Sequence, residues 1–234
     1  MEDISLPEPV GSILGGKLEK SAITNFFGGP GSGKTNFCLL ATMACLKNGG
    51  RVVYIDTEGG FSVERFGQLC AAAKLDQDQA LENIELLEPK TFEEQRAAIK
   101  SLDGKKANLV IVDSIVALYR LEHDSSKGRH KEEIMESSKE LSKQLSILSN
   151  TARSLGIPVL ITAHTFKSWD TGQDEMIGGD VLKYWSKAIV FLERTGRMSE
   201  RKAVVTKHRS LPEGREAKFL LVEEGIAPVK FKIF

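Results

Sequence analysis

Three observations predict an α/β fold with a mainly parallel sheet, helices on both faces and antiparallel strands added at the C-terminal end. Short apolar or β-branched runs alternate with helical stretches from Ala22 to Thr162. From Lys187 onward only strand patterns follow one another. The first strand-to-helix junction, Gly28–Thr35, reads GGPGSGKT, which is the phosphate-binding spacing of glycines, lysine and threonine in its strand–loop–helix setting.

The elements follow in order. Ala22–Phe27 is an apolar strand that feeds the glycine-rich loop, and the helix that starts near Asn36 runs to about Lys47 and stops at Gly49-Gly50. Arg51–Asp56 is a β-branched strand, Ser62–Lys74 a helix and Ile84–Leu87 a short strand. Thr91 and Glu94 form a capping box that opens the next helix. Leu109–Val112 is continuously apolar, as a strand covered on both faces requires. From His130 to Leu155, residues Ile134, Leu141, Leu145, Leu148, Ala152 and Leu155 fall on one helical stripe. Ile157–Thr162 is the next buried strand. Strands are then expected near Lys187–Leu192, Lys202–Lys207, Lys218–Val222 and Val229–Ile233, with Leu211–Gly214 as a turn. Two polar stretches, Glu122–Lys131 and Phe166–Gly179, each follow a buried strand on the side where open α/β sheets bind ligands. They are either functional loops or plain solvated connections.

The 234 residues suit one large domain, 1–234, with an ordinary 41% hydrophobic and 27% charged content. Lys plus Arg and Asp plus Glu number 32 each, so any polyanion must be bound through a local patch. No apolar run approaches the ~20 residues of a membrane helix, and the N-terminus carries no secretory pattern. Cys38, Cys45 and Cys70 lack metal-ligand spacing and read as reduced core residues of a cytoplasmic protein.

The nucleotide-binding run is Gly28, Gly29, Pro30, Gly31, Ser32, Gly33, Lys34, Thr35 and Asn36. The glycines let the backbone curl round an anion, and the helix N-terminus adds positive potential. Lys34 can reach the β- and γ-phosphates of ATP, and Thr35 can offer its hydroxyl to Mg²⁺. Asp113, ending the strand Leu109–Val112, stands where the second acid of a phosphate-loop enzyme holds the Mg²⁺ shell, although Asp-Ser is also good turn and cap chemistry. Glu58, just beyond the neighbouring strand, is a candidate general base for an attacking water and argues for hydrolysis. Lys207 and Arg209 alternate onto one face of a late strand. They are either a solvated edge or cationic fingers for a neighbouring subunit's nucleotide.

The segments ITNFFGGPGSGKT, VVYIDTEGGFSVERF, LVIVDSI followed by ALYRLE, and SLPEGREAKFLL together resemble the core of the RecA/RadA recombinase family. The resemblance runs from about Pro9 to the C-terminus. It is most specific in DTEGGFSVERF and the LPEG turn, and it is strongest toward the short archaeal members. It implies a RecA-like P-loop NTPase core, with Glu58 as catalytic glutamate and Arg65 near the adenine. It also implies that the two polar stretches line a DNA path, single-stranded in preference to double-stranded, through Lys127, Arg129, His130, Lys131, Lys167 and Lys183. Phe166 and Trp169 would stack on bases. The stretch Ser210–Pro212 matches one that caps a neighbour's ATP, which favours the finger reading of Lys207 and Arg209.

Three departures qualify what the resemblance implies. No helical DNA-binding domain is expected before the core. None of the 11 phenylalanines has alanine three residues later, so the family's usual linker contact is missing and self-assembly is left to nucleotide-bridged contacts. The γ-phosphate-sensing glutamine is replaced by His164, after Ala163. The leading expectation is a recombination and repair accessory ATPase that binds DNA and assists the main RadA-type recombinase. The alternatives are an ATP-switched binding module with vestigial hydrolysis, and a KaiC-like ATPase, which the FSVER and LPEG segments disfavour.

Overall fold

The computed structural model describes residues 2–125, 131–168 and 172–229. Short helix α1 (Val10–Ile13) precedes β1 (Ala22–Gly28), α2 (Lys34–Lys47), β2 (Val52–Asp56), α3 (Val63–Ala73), α4 (Gln77–Leu81) and β3 (Ile84–Leu87). Then come α5 (Phe92–Lys100), β4 (Leu109–Asp113), α6 (Ala117–Ser125), α7 (Lys131–Leu155), β5 (Pro158–Ala163), β6 (Thr165–Lys167) and β7 (Asp174–Met176). The chain continues through α8 (Gly179–Trp185), β8 (Ala188–Arg194), β9 (Glu200–His208), β10 (Glu216–Val222) and β11 (Gly225–Pro228).

Nine strands form one sheet in the order β11-β10-β9-β8-β1-β5-β4-β2-β3, and β6 and β7 pair as a separate hairpin. The run from β8 to β3 is parallel, while β9, β10 and β11 add antiparallel. The expected architecture is the one observed. Because β4 is covered on both faces, Leu109 and Ile111 pack with α2 on one side, and Val110 and Val112 pack with α7 on the other. Among the described residues, no helix is long and apolar enough to cross a membrane.

Helix starts follow the capping chemistry. Ser62 accepts from the Arg65 N–H, and Thr91 from the Glu94 N–H. Glu94 returns its carboxylate to the Lys90 N–H at 2.7 Å, one residue before the cap, so the expected box closes one position early. On α7, Leu141, Leu145, Leu148 and Ala152 are fully buried as the stripe requires. Leu155 instead lies exposed at the helix end, and Ile134 lies outside the described side chains.

Several expectations need correction. The stretch Glu122–Lys131 is not a loop throughout. Helix α6 runs through Ser125, α7 begins at Lys131, and residues 126–130 lie outside the described set. Phe166–Gly179 folds largely as the β6–β7 hairpin, whose short strands are set by cross-strand bonding rather than by an apolar run. A strand that the sequence did not suggest, Gly225–Pro228, pairs with β10 because the turn after Val222 brings Gly225 opposite that residue, while the strand expected at Val229–Ile233 lies outside the described residues beyond Val229. Residues 230–234 lie outside the described set. Helices α1, α4 and α8, each only a turn or two long, carry no amphipathic period that sequence reading could register.

Helix α2 packs along the sheet and reaches β10 through Phe37. The Phe37 ring stacks on Phe26 at 5.0 Å and meets Phe219 edge-on at 5.3 Å. Phe37→Ala should therefore cost about 3–5 kcal/mol, through lost burial and a cavity linking the phosphate-loop helix to the C-terminal strands. Chemical denaturation checks this, and a cost below about 1 kcal/mol would show that the site collapses freely.

Candidate functional site

The ends of β1, β5, β4 and β2 lie side by side, so the residues that follow each strand share one edge of the sheet. The phosphate loop leaves β1 between β5 and β8. A Cβ at Gly28 would lie 2.1 Å from the Leu192 carbonyl oxygen, so only glycine fits there. Gly33, at φ 103°, is the left-handed cap of α2, and it turns the first helical N–H groups toward the loop. Lys34 opens that helix, and its Nζ folds back to donate to the carbonyls of Gly28 (3.0 Å) and Gly29 (3.2 Å). Burial pulls the Lys34 ammonium below its ordinary pKa, while Glu58 and Asp113 oppose that shift. The Ser32 hydroxyl is buried inside the loop without a hydrogen-bond partner.

Asp113 is buried at the end of β4. Its carboxylate accepts from the Tyr54 hydroxyl at 3.0 Å and the Thr162 hydroxyl at 2.5 Å, and Thr35 bonds it as well. Burial raises its pKa, and the Thr162, Thr35 and Tyr54 bonds only partly offset the rise. Thr35 and Asp113, a hydroxyl and a carboxylate already in contact, form the all-oxygen donor set that Mg²⁺ prefers.

Glu58 stands on the turn after β2, and the shape of that turn is set by a residue that sequence reading missed. Asp56 Oδ1 accepts from the N–H groups of Glu58 (3.1 Å), Gly59 (2.9 Å) and Gly60 (3.1 Å), and Oδ2 accepts from Phe61 (2.8 Å). Thr57 ties the same turn to β4, donating to the Ser114 carbonyl at 2.7 Å and accepting from the Ser114 N–H at 2.9 Å. An Asp at a strand end followed by Gly-Gly is a local signal that could have pointed to this turn. Glu58 Oε1 meets His164 Nε2 at 2.5 Å across the site. Burial raises the Glu58 pKa, but the His164 bond and charge, Lys34 and Ser114 outweigh it, leaving the carboxyl below its ordinary range.

The remaining sequence candidates divide. Arg65 reaches Asn36 Oδ1 at 2.9 Å, and it also donates to the carbonyls of Val222 (2.8 Å) and Glu223 (2.6 Å), so it joins the phosphate-loop helix to the β10–β11 turn. Lys207 and Arg209 do not share a continuous strand face. Strand β9 ends at His208, Lys207 donates to the Lys183 carbonyl, and Arg209 pairs with Glu19 at 2.8 Å. Lys207 pairs with Ile189, near the start of β8 and three registers back from Leu192, which pairs with Gly28 at the phosphate loop, and Arg209 lies further back still. Arg201, which the sequence did not single out, sits at the near end and donates to the Gly31 carbonyl at 2.8 Å. Phe166 and Lys167 are exposed on β6, and Lys183 lies on α8 beside Asp180. Lys127, Arg129, His130 and Trp169 lie outside the described residues, as does the Lys131 side chain. A phosphate cradle, a buried cation, an oxygen pair for Mg²⁺ and an ionised carboxylate opposite them suit a nucleoside triphosphate and an attacking water.

The Rad51 family model matches residues 7–229. A "DNA repair and recombination protein RadB" from Methanobrevibacter smithii is 36% identical over 226 residues, which cover 93% of this chain and 92% of that protein. One of the same description from Methanococcus maripaludis strain C5 is 40% identical over 215 residues, covering 92% and 94%. A solved structure described as "Crystal structure of the RadB recombinase" superposes with a TM-score of 0.80 at 33% identity, covering 95% of this chain and 97% of that one.

Asp56→Asn should destabilise the chain by about 1.5–3 kcal/mol, because an amide cannot accept all four N–H bonds that the carboxylate takes. The denaturant midpoint measures it, and an unchanged midpoint would show that the turn holds its shape without that carboxylate.

Proposed function

The chain belongs to the Rad51 family, and from that premise we propose that it is an ATP-hydrolysing DNA repair and recombination protein that assists the main recombinase. The observation that carries this reading is the meeting of Lys34, Thr35, Asp113 and Glu58 at adjacent strand ends, in a chain whose relatives carry DNA repair and recombination descriptions. The family match favours it over the KaiC-like reading.

The phosphates of ATP sit on the N–H groups of Gly29–Thr35, with Lys34 turning from the loop carbonyls to the β- and γ-oxygens. Thr35 and Asp113 would hold Mg²⁺, which neutralises charge on those oxygens. Glu58, ionised at neutral pH, takes a proton from the attacking water. DNA runs past the β6–β7 hairpin, where Phe166 offers a ring and Lys167 a charge, with Lys127, Arg129, His130, Lys131, Trp169 and Lys183 as further contacts. Lys207 and Arg209 cannot serve their own loop from the far end of the sheet. As fingers they act on a neighbour's nucleotide, so an isolated protomer hydrolyses slowly. One observation favours a second reading, in which ATP is chiefly a conformational ligand: the Glu58 carboxylate is already engaged by His164 at 2.5 Å.

Lys34→Ala should abolish triphosphate binding, whereas Glu58→Gln should keep it and slow hydrolysis by about 10²–10⁴. Calorimetric binding and phosphate release, each with and without single-stranded DNA, check both. Wild-type turnover by Glu58→Gln would remove Glu58 as the base, and binding without turnover in the wild type would select the second reading.

For the fingers, a Lys207→Ala/Arg209→Ala variant mixed with Lys34→Ala should regain part of the activity that each lacks alone. A supplied cation is worth roughly 10³–10⁵ in rate in related phosphoryl transfers. Full activity in the finger variant by itself would leave Lys207 and Arg209 as structural contacts.

A further inference from the structure

We propose that Tyr54 is a positioning residue that sets the cation preference of the nucleotide site. Its hydroxyl helps to confine the Asp113 carboxylate to one free lone-pair position, which suits Mg²⁺ and disfavours Ca²⁺. The inference deepens the ATPase reading above and rests on it.

Tyr54 on β2 pairs with Ile111 on β4, and Asp113 is the next residue along β4 on the same face. That diagonal is within reach of an aromatic side chain. Tyr54 is wholly buried, its ring meets Phe61 edge-on at 5.2 Å, and its hydroxyl donates to Asp113 Oδ2 at 3.0 Å. Phe61 is fixed in turn, because its N–H donates to Asp56 Oδ2 at 2.8 Å. From α2 the Cys38 thiol bonds the same tyrosine hydroxyl. An ionised carboxylate only accepts, so the Tyr54 proton is committed to Asp113 and the thiol is the donor to the phenol oxygen. Asp113 Oδ1 is held from the other neighbouring strand, where Thr162 of β5 donates at 2.5 Å. Thr35 bonds the carboxylate from α2.

A carboxylate offers about four lone-pair positions. The hydroxyls of Tyr54, Thr162 and Thr35 take three of them. The group cannot turn to present more, because β2 grips one oxygen and β5 the other. Divalent cations differ in what they ask of such a carboxylate. Ca²⁺ gathers about six to eight oxygens in flexible geometry and accepts both oxygens of one carboxylate. Mg²⁺ demands near-ideal octahedral geometry and keeps several of its waters. A fixed carboxylate with one free position can serve a hydrated Mg²⁺, but it cannot chelate Ca²⁺. Removing the Tyr54 hydroxyl releases Oδ2 and lets the group rotate.

The test uses the full chain and a non-hydrolysable ATP analogue, with affinity measured by calorimetry at saturating Mg²⁺ and at saturating Ca²⁺. The wild type should bind more tightly with Mg²⁺. Tyr54→Phe keeps the ring and its packing on Phe61, and it should narrow the Mg²⁺-to-Ca²⁺ affinity ratio by about tenfold. Thr162→Val frees the other oxygen and should narrow the ratio likewise. Phe61→Leu disturbs the packing around the ring without touching the hydroxyl, so its ratio should stay within about twofold of the wild type. Equal affinities with the two cations in the wild type, an unchanged ratio in folded Tyr54→Phe, or the same narrowing in Phe61→Leu overturns the proposal. Where Tyr54→Phe does not fold, an unchanged ratio in Thr162→Val overturns it in the same way. Failure of the wild type to bind the analogue with either cation overturns the ATPase reading instead.

Discussion

Four backbone N–H groups converge on the Asp56 carboxylate, and the rest of the site is arranged around the turn they create. A buried carboxylate is costly unless its lone pairs are filled, and here the backbone of Glu58 to Phe61 fills them. The same bonds prevent that segment from following any other path. Glu58 is thereby projected toward the phosphate loop, and Gly60 is brought against Thr35, whose Oγ1 is 3.5 Å from the position of a Cβ there. Thr57 then ties the turn to the end of β4, so Glu58 and Asp113 are carried by one rigid unit.

The charges around this unit are balanced locally rather than by the net charge of the chain. Lys34 lies among Glu58 and Asp113: both carboxylates act on the ammonium, Glu58 acts on Asp113, and Lys34 acts on Glu58. Burial dominates at Asp113 and Lys34, where the charged forms are disfavoured. At Glu58 burial is the largest single influence, but His164, Lys34 and Ser114 together outweigh it and favour the carboxylate.

The antiparallel strands give the molecule two unlike ends. At the near end Arg201 touches the phosphate loop of its own chain. At the far end Lys207 and Arg209 are held by α8 and by Glu19. Chain reversal between β8 and β9 separates the two sets by the length of the strands, so only an assembly could bring the far cations to a phosphate.

Much of this was legible in the residues themselves. Glycine spacing, Lys34 and Thr35 mark a phosphate loop because anion binding by backbone N–H groups depends on local conformation alone. The continuous apolar run of β4, the stripe on α7 and the caps at Ser62 and Thr91 likewise report interactions within a few residues. What the sequence could not reveal were contacts between residues far apart in the chain. These include the engagement of Glu58 by His164, the tie of Arg65 to the β10–β11 turn, the approach of Arg201 to Gly31, and the different partners of Lys207 and Arg209. The order in which parallel strands lie in the sheet decides which strand ends meet. That order is fixed by the packing of helices on both faces, so it exists only in the tertiary structure.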